Sequence, residues 1–240
     1  MTLREVYVTE NIGRQLPLDV EVKDINEDII PISRFFNQGK PIVLFFGYYT
    51  CPMLCHFVAQ GVSAAINDAS LKLGLDYRVL MLSINPDERL SAAIGFRDQY
   101  VSKLSSDVKD EETDWHFLRA DLPAIDRLSD ALGFSFRYNA NSKEFAHSAV
   151  IFILSPKGKI SRYLYGISFQ KLDFKLAILE ASDEKYISSM DRLLLFCYNY
   201  DPQSRVYVIM AKRIMQVGGV LIIFIIILMM FLFNKGRLNK

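Results

Sequence analysis

The sequence contains little cysteine, little histidine and almost no net charge. Its 240 residues include 3 cysteines and 3 histidines. So few cysteines exclude a small fold held together by several disulfides. Basic and acidic side chains number 28 and 27, for a formal net charge of +1, so no nucleic-acid-binding surface is indicated. Residues 1–20 contain no long apolar run, and no signal peptide is visible there.

What the sequence does contain is apolar and aromatic residues, at 51% and 12% of the chain, which suffice for a sizeable core. The longest apolar run is near the C-terminus. Residues 214–234 carry no charge, and basic residues lie on both sides of them. This length predicts one transmembrane helix, followed by a basic tail at 235–240.

Between residues 16 and 183, apolar runs alternate with segments of helical period. The order is a β-hairpin, three strand–helix units, a second hairpin and a final helix, which predicts an α/β domain with a mixed central sheet. Residues 1–15 are predicted to form an extended arm, and 184–213 a linker. Helices are predicted at Met53–Leu73, with Gly74 as the C-cap, at Glu88–Leu104, and from a cap at Ser168 to Glu180.

Two cysteines mark the junction between the first long strand, Pro41–Tyr49, and the helix that follows it. Cys51 and Cys55 are four residues apart, with Pro52 placed to begin the helix. If this turn is helical, the two side chains share a face about 6 Å apart along the axis. That separation suits a shared metal ion or, with some adjustment, a disulfide. The alternative is that both are small core residues, since free cysteine is often buried.

His147 precedes a predicted core strand, in a loop expected near the cysteine pair. Two thiolates and an imidazole favour copper; the alternative is a partly buried histidine that bonds only its neighbours. The remaining candidates have structural interpretations. His56 is expected at the surface and His116 in a structural position on a strand. Met53 is expected to fill an apolar interface and Cys197 to pack beside an apolar run; the alternatives are a thioether donor at Met53 and a third redox thiol at Cys197.

Three stretches, VLFFGYYTCPMLC, SINPDE and AHSAVIFILSPKGKISRYLYGI, resemble the Sco (SenC/PrrC) family over roughly Leu16–Glu180. These are membrane-anchored, thioredoxin-like copper proteins that assist assembly of the copper A centre of cytochrome c oxidase. The resemblance implies a thioredoxin-like fold and a copper ion bound by Cys51, Cys55 and His147. The partner it implies is the copper A subunit of the oxidase, or another copper or thiol protein.

The chain departs from the family pattern in ways that suggest a divergent branch. His56 stands where Pro is frequent, Ala146 where Asp is usual, and Asn85 where Asp is typical. The predicted anchor is C-terminal, whereas the family's usual anchor is N-terminal. The missing carboxylate at 146 removes a neighbour that would raise the basicity of the histidine.

Two functions from different classes are therefore predicted. The first is a metallochaperone, which is not an enzyme. The second is a thiol–disulfide oxidoreductase in which Cys51 attacks and Cys55 resolves the mixed disulfide; a peroxidase is a weaker third choice. The resemblance places the domain on the extracytoplasmic side as a single-pass membrane protein, which requires a leader upstream of this sequence or removed from it. The alternative is a cytosolic domain on a tail anchor.

Overall fold

The computed structural model describes residues 5–105 and 114–184. The described elements are nine strands, four α-helices and one short 3-10 helix, Ile32–Phe35. The strands are β1 Glu21–Lys23, β2 Ile29–Pro31, β3 Ile42–Gly47, β4 Arg78–Ser83, β5 Trp115–Leu118, β6 Phe136–Asn139, β7 Glu144–His147, β8 Val150–Leu154 and β9 Ile160–Tyr165. The helices are α1 Leu54–Asp68, α2 Leu90–Val101, α3 Leu122–Ala131 and α4 Lys171–Ser182.

Five strands form the central sheet in the order β5-β4-β3-β8-β9. Strands β3, β4 and β5 run parallel, while β8 and β9 pair antiparallel to their neighbours. Every residue of β3, β4 and β8 is buried, as expected of short, almost entirely apolar strands covered on both faces. The predicted α/β fold with a mixed central sheet is confirmed.

The direction of these strands brings three connections together at one edge of the sheet. The register pairs Gly47 with Ser83, so β3 and β4 end side by side. The antiparallel register pairs Phe45 with Ile151, so β8 begins where β3 ends. The residues after β3, after β4 and before β8 therefore meet, and two of these connections contain the cysteines and the histidine.

A two-stranded sheet formed by β6 and β7, beside the central sheet, was not predicted. Strand β7 pairs antiparallel with β6, and His147 is its last residue, opposite Phe136. The expectation of a loop at this position is wrong. Residues 144–147 alternate in exposure and include charged Glu144, so they lack the apolar run that identified the other strands.

Three predicted helix boundaries are also wrong. Helix α1 begins at Leu54 and ends at Asp68, where Ser70 adopts a left-handed conformation with φ of 53°. Gly74 lies in the following loop and does not cap the helix. Helix α2 begins at Leu90, which leaves Glu88 in the preceding loop.

Helix α4 begins after Gln170, so Ser168 is not its N-cap. The preceding loop packs against α1 instead: a Cβ at Gly61 would stand 2.1 Å from the carbonyl oxygen of Ile167.

Within residues 5–105 and 114–184, no helix is both long enough and apolar enough to cross a membrane. The predicted span at 214–234, the linker from 185 onward and the basic tail lie outside the described residues.

Candidate functional site

Cys51 lies in a turn before α1, not within the helix. Its N–H donates to the carbonyl oxygen of Tyr48 at 3.2 Å, which folds the chain back before the helix begins. The condition under which both cysteines would share a helical face, a helical turn at Cys51, is therefore not met. They approach each other nevertheless, because Cys55 is in the first helical turn and its N–H donates to Sγ of Cys51 at 3.4 Å. Both are free thiols.

His147 faces the cysteines from the end of β7. Its Nε2 lies 3.3 Å from Sγ of Cys55, and its Nδ1 lies 3.0 Å from the carbonyl oxygen of Ser148. A carbonyl oxygen only accepts, so Nδ1 carries the proton of the neutral imidazole. The lone pair of Nε2 is then directed toward the cysteine. A backbone acceptor on the far nitrogen is the arrangement commonly found for metal-binding histidines.

The donor atoms fit a soft metal ion after a small rearrangement. Thiolate and imidazole donors of one ion lie about 3.5–3.8 Å apart for metal bonds of about 2.3 and 2.0 Å, close to the observed Cys55–His147 separation. In the part of the chain that the structure describes, no group of three or more His, Cys, Asp or Glu side chains stands ready to hold a metal ion. Binding of a metal ion at this place therefore requires the three donor atoms to move relative to one another.

The two thiols have opposite acidities. Hydrogen bonding from the Cys55 side chain lowers the pKa of Cys51 to about 5, with further help from the N–H groups of Cys55 and Met53 and from the Tyr48 side chain. The same interaction raises the pKa of Cys55, and burial raises it further. Burial lowers the pKa of His147. At neutral pH the site therefore contains a Cys51 thiolate, a Cys55 thiol and a neutral imidazole.

Gly47 and Tyr48, at the end of β3, support Cys55 and were not identified from the sequence. A Cβ at Gly47 would stand 3.2 Å from Sγ and 3.3 Å from Cβ of Cys55. The Tyr48 N–H donates to Sγ of Cys55 at 3.4 Å, and its ring contacts those of Phe145 and His147. A glycine at the end of an apolar strand is a known sign of close approach, and it was the available signal.

Glu88 is a third residue that sequence analysis missed. Its carboxylate is buried beside the turn that leads to Cys51, where it accepts hydrogen bonds from Tyr49, Thr50 and Ser83. The SINPDE stretch pointed to this loop, but a glutamate among charged residues gave no sign of burial.

The other candidates are placed as follows. Met53 is 61% exposed, so the expectation that it fills an apolar interface is wrong. His56 is half-buried: Nδ1 lies 2.7 Å from the Tyr100 hydroxyl and the ring stacks on Phe96, which corrects its predicted surface position. His116 pairs with Asp114 at 2.7 Å, as a structural histidine would. Cys197 lies outside the described residues.

Comparison with solved structures shows what this fold is similar to. A protein of Aquifex aeolicus VF5 aligns with a TM-score of 0.62 and 23% identity, over 73% of this chain and 96% of its own. Copper-bound ScoI of Arabidopsis thaliana aligns with a TM-score of 0.54 and 16% identity, over 72% of this chain and 99% of its own. Copper-bound ScoI of Bradyrhizobium japonicum aligns with a TM-score of 0.52 and 14% identity, over 73% of this chain and 99% of its own. These likenesses establish the fold.

A comparison with curated protein sequences gives no significant match. The SCO1/SenC family model matches residues 28–172, which include both cysteines, Glu88 and His147. That span is more than half of the chain and agrees with the resemblance seen in the motifs. The chain therefore belongs to the SCO1/SenC family.

Proposed function

We propose that this protein binds one copper ion through Cys51, Cys55 and His147 and delivers it to the copper A centre of cytochrome c oxidase. Copper is its cargo. The observation that carries the proposal is the contact between Cys55 and His147, with Nε2 free to bind and Nδ1 held by a backbone carbonyl. Thiol exchange needs no imidazole at this position, whereas a three-donor copper site does.

The character of the donors supports the reduced ion in particular. Soft thiolates favour Cu(I), and imidazole binds either oxidation state. Cys51 supplies one thiolate at neutral pH, and Cys55 must release its proton when the ion enters. The copper-bound ScoI proteins of A. thaliana and B. japonicum have the same fold, which supports copper as the ligand here.

Copper content after anaerobic loading with Cu(I) tests the assignment. The full chain should bind one ion, and Cys51→Ser with Cys55→Ser should abolish binding. His147→Ala should weaken it by about 100-fold or more, because one of three donors is lost. Matched controls are Cys197→Ser and His56→Asn, which remove a thiol and an imidazole elsewhere and should leave binding unchanged. Full copper retention by the double cysteine variant contradicts the proposal.

We further propose that residues 214–234 anchor the domain on the extracytoplasmic side, with 235–240 in the cytoplasm. Copper A centres are exposed on that side, so a protein that supplies them must be there. Protease added to intact spheroplasts should digest residues 16–183. Survival in intact cells and cleavage only after lysis would indicate a cytosolic, tail-anchored domain and would argue against oxidase assembly.

The opposite acidities of the two thiols favour a second function, reduction of a partner disulfide. The Cys51 thiolate attacks one sulfur of the partner, forming a mixed disulfide and releasing a partner thiolate. Cys55 then loses its proton and attacks Sγ of Cys51, which releases the second partner thiolate. Two electrons pass to the partner, and a Cys51–Cys55 disulfide remains. Such reduction would prepare the cysteines of a target to receive copper.

Reduction of a small disulfide substrate, followed with stoichiometric protein, tests this function. Cys51→Ser should abolish the reaction, and Cys55→Ser should stop it at the mixed disulfide, which mass spectrometry can detect. His147→Ala should leave the reaction intact while weakening copper binding. Equal loss of both activities in His147→Ala would contradict a separate thiol function.

A further inference from the structure

Glu88 lies at the same edge of the sheet as the cysteines, in the loop between β4 and α2. It is 7% exposed. Its carboxylate accepts from the Tyr49 N–H at 2.7 Å, from the Ser83 hydroxyl at 2.9 Å and from the Thr50 hydroxyl at 3.2 Å. Two of these donors belong to the residues directly before Cys51, and the third belongs to the end of a buried central strand.

We propose that Glu88 is a positioning residue for Cys51, holding the turn between β3 and α1 so that the thiolate stays beside Cys55. It does so without touching either sulfur. The effect of Glu88 on copper affinity rests on the proposed function, whereas its effect on the labelling rate of Cys51 does not.

The support for the turn starts in the rigid core. Ser83 is the last residue of β4 and is fully buried. Its hydroxyl donates to Glu88 and accepts from the Asn85 N–H at 3.2 Å, which fixes the carboxylate relative to the strand. Hydrogen bonds to an ionised acceptor are roughly twice as strong as those between neutral groups. The carboxylate thus connects the buried end of β4 to the neighbouring turn by hydrogen bonds on both sides.

Glu88 adds to the other contacts that hold this turn, which include the Cys51–Tyr48 backbone hydrogen bond and the hydrogen bond from the Cys55 N–H to Sγ of Cys51. The Tyr49 hydroxyl donates to the carbonyl oxygen of Leu118 at 2.7 Å, which anchors the ring in the core. Thr50, between Tyr49 and Cys51, is exposed. Its hydrogen bond to Glu88, together with that of the Tyr49 N–H, holds the backbone on the side that leads to Cys51.

The carboxylate is chemically suited to this place because three donors converge on it. A glutamine of the same shape brings two N–H donors of its own and one fewer acceptor oxygen. In Glu88→Gln one oxygen remains for the Tyr49 N–H and the Ser83 hydroxyl, while the Thr50 hydroxyl must rotate to accept from the amide. All three hydrogen bonds then lose their ionised acceptor and become weaker, which loosens the turn. Outer groups that orient metal ligands typically change metal affinity by about 10- to 100-fold when mutated.

Selective labelling of the two thiols tests the inference in the full, metal-free chain. Wild type and Glu88→Gln are treated with a maleimide under native conditions, and peptide mapping gives separate rates for Cys51 and Cys55. The labelling is done at about pH 8.5, where about half of an ordinary cysteine is thiolate, so that exposure of the sulfur dominates the rate. We expect labelling of Cys51, which is buried in wild type, to rise about tenfold in Glu88→Gln while that of Cys55 stays unchanged. A general loss of stability would raise both rates, so equal increases contradict the inference, as does a wild-type rate at Cys51.

Two further variants make the experiment decisive. Asp87→Asn removes the neighbouring exposed carboxylate and should leave both rates unchanged. If Glu88→Gln does not fold, Thr50→Val, which removes one of the turn's hydrogen bonds, decides the matter: a selective increase at Cys51 supports the inference, and a wild-type rate overturns it. Where wild type binds copper, Glu88→Gln should lose about 10- to 100-fold in affinity. Failure of wild type to bind copper would contradict the proposed function, while the labelling rates still decide the role of Glu88.

Discussion

The backbone of Gly47 lies directly against the side chain of Cys55. A methyl group at residue 47 would stand 3.2 Å from Sγ of Cys55 and 2.9 Å from Cε of Met81. Both distances are shorter than ordinary contacts, so one neighbour must move. The absence of a side chain at residue 47 therefore lets strand β3 lie this close to the first turn of α1 without displacing Met81 or Cys55.

Gly47→Ala should displace Cys55 and weaken copper binding by about tenfold. Met81 is flexible and can move, so the free energy of unfolding should fall by only about 1–3 kcal/mol, as is typical of overpacking. Chelator competition measures the affinity and urea unfolding the stability. Gly95→Ala is the matched control, because a Cβ at Gly95 meets nothing within 4 Å. Unchanged copper affinity in Gly47→Ala would contradict the contact.

The rate of Cys51 alkylation should rise through pH 5 and level off by about pH 7. The thiolate is the reactive form, and hydrogen bonding from Cys55 lowers the pKa of Cys51 to about 5. An ordinary cysteine would show its midpoint near about pH 8.5. Cys55→Ala removes the hydrogen-bonding thiol and should move the midpoint upward. Mass spectrometry of the Cys51 peptide follows the reaction; a midpoint above pH 8 in wild type would refute the assignment.

Mild oxidation should produce a reversible disulfide between Cys51 and Cys55. The two side chains interact with each other, and the N–H of Cys55 lies 3.4 Å from Sγ of Cys51, so the two residues are already neighbours. Peptide mapping without reductant identifies the bridge. Cys197→Ser should leave its yield unchanged, whereas a dominant bridge to Cys197 would exclude the pair as the redox unit.

Acid should weaken the domain between about pH 4 and pH 2 through Asp114. Burial acts to raise the pKa of this carboxyl, but hydrogen bonds from His116 and Arg78 outweigh it and bring the pKa to about 2. The folded-state pKa is below the unfolded value of about 3.9, so the stabilisation is complete above that value and is lost as pH falls toward 2. Its size is about 2 kcal/mol.

Asp114→Asn should lower the free energy of unfolding by about 3–5 kcal/mol at pH 7, because it leaves buried Arg78 without its ionic partner. The difference from wild type should shrink below pH 3. Asp19→Asn breaks an ion pair with Arg127 at the surface and should have no measurable effect. Urea unfolding followed by Trp115 fluorescence measures all three proteins. A pH-independent difference would show that Asp114 does not act through its charge.

The sequence was sufficient to predict the central sheet but not the details of the site. Strands such as β3 and β8 are long apolar runs, and their periodicity identifies them. The sequence left open whether the turn at Cys51 is helical, because Pro52 is compatible with a first helical turn. Its actual form depends on the Cys51–Tyr48 hydrogen bond and on Glu88, which is distant in sequence. Tertiary contacts of this kind leave no local pattern.

His147 was placed near the cysteines by the order of the strands, yet its orientation could not be predicted. The position follows from the antiparallel pairing of β8 with β3. The direction of Nε2 depends on the carbonyl of Ser148 and on strand β7, which was missed. Assignment of the three side chains as copper ligands stays a prediction.

The N-terminal arm gives the histidine a distant point of attachment. The Thr9 N–H donates to the carbonyl oxygen of Gly133. Ser135, the residue before β6, donates its N–H to the carbonyl oxygen of Tyr7 and its hydroxyl to that of Glu5. Strand β6 in turn pairs with β7, which ends at His147. A protein shortened to begin at residue 16 would keep every proposed copper ligand. It would lose the hydrogen bonds that hold the β6–β7 hairpin, which ends at His147. The described part of this arm, from residue 5 onward, therefore helps to hold a proposed copper ligand in place as well as covering the domain.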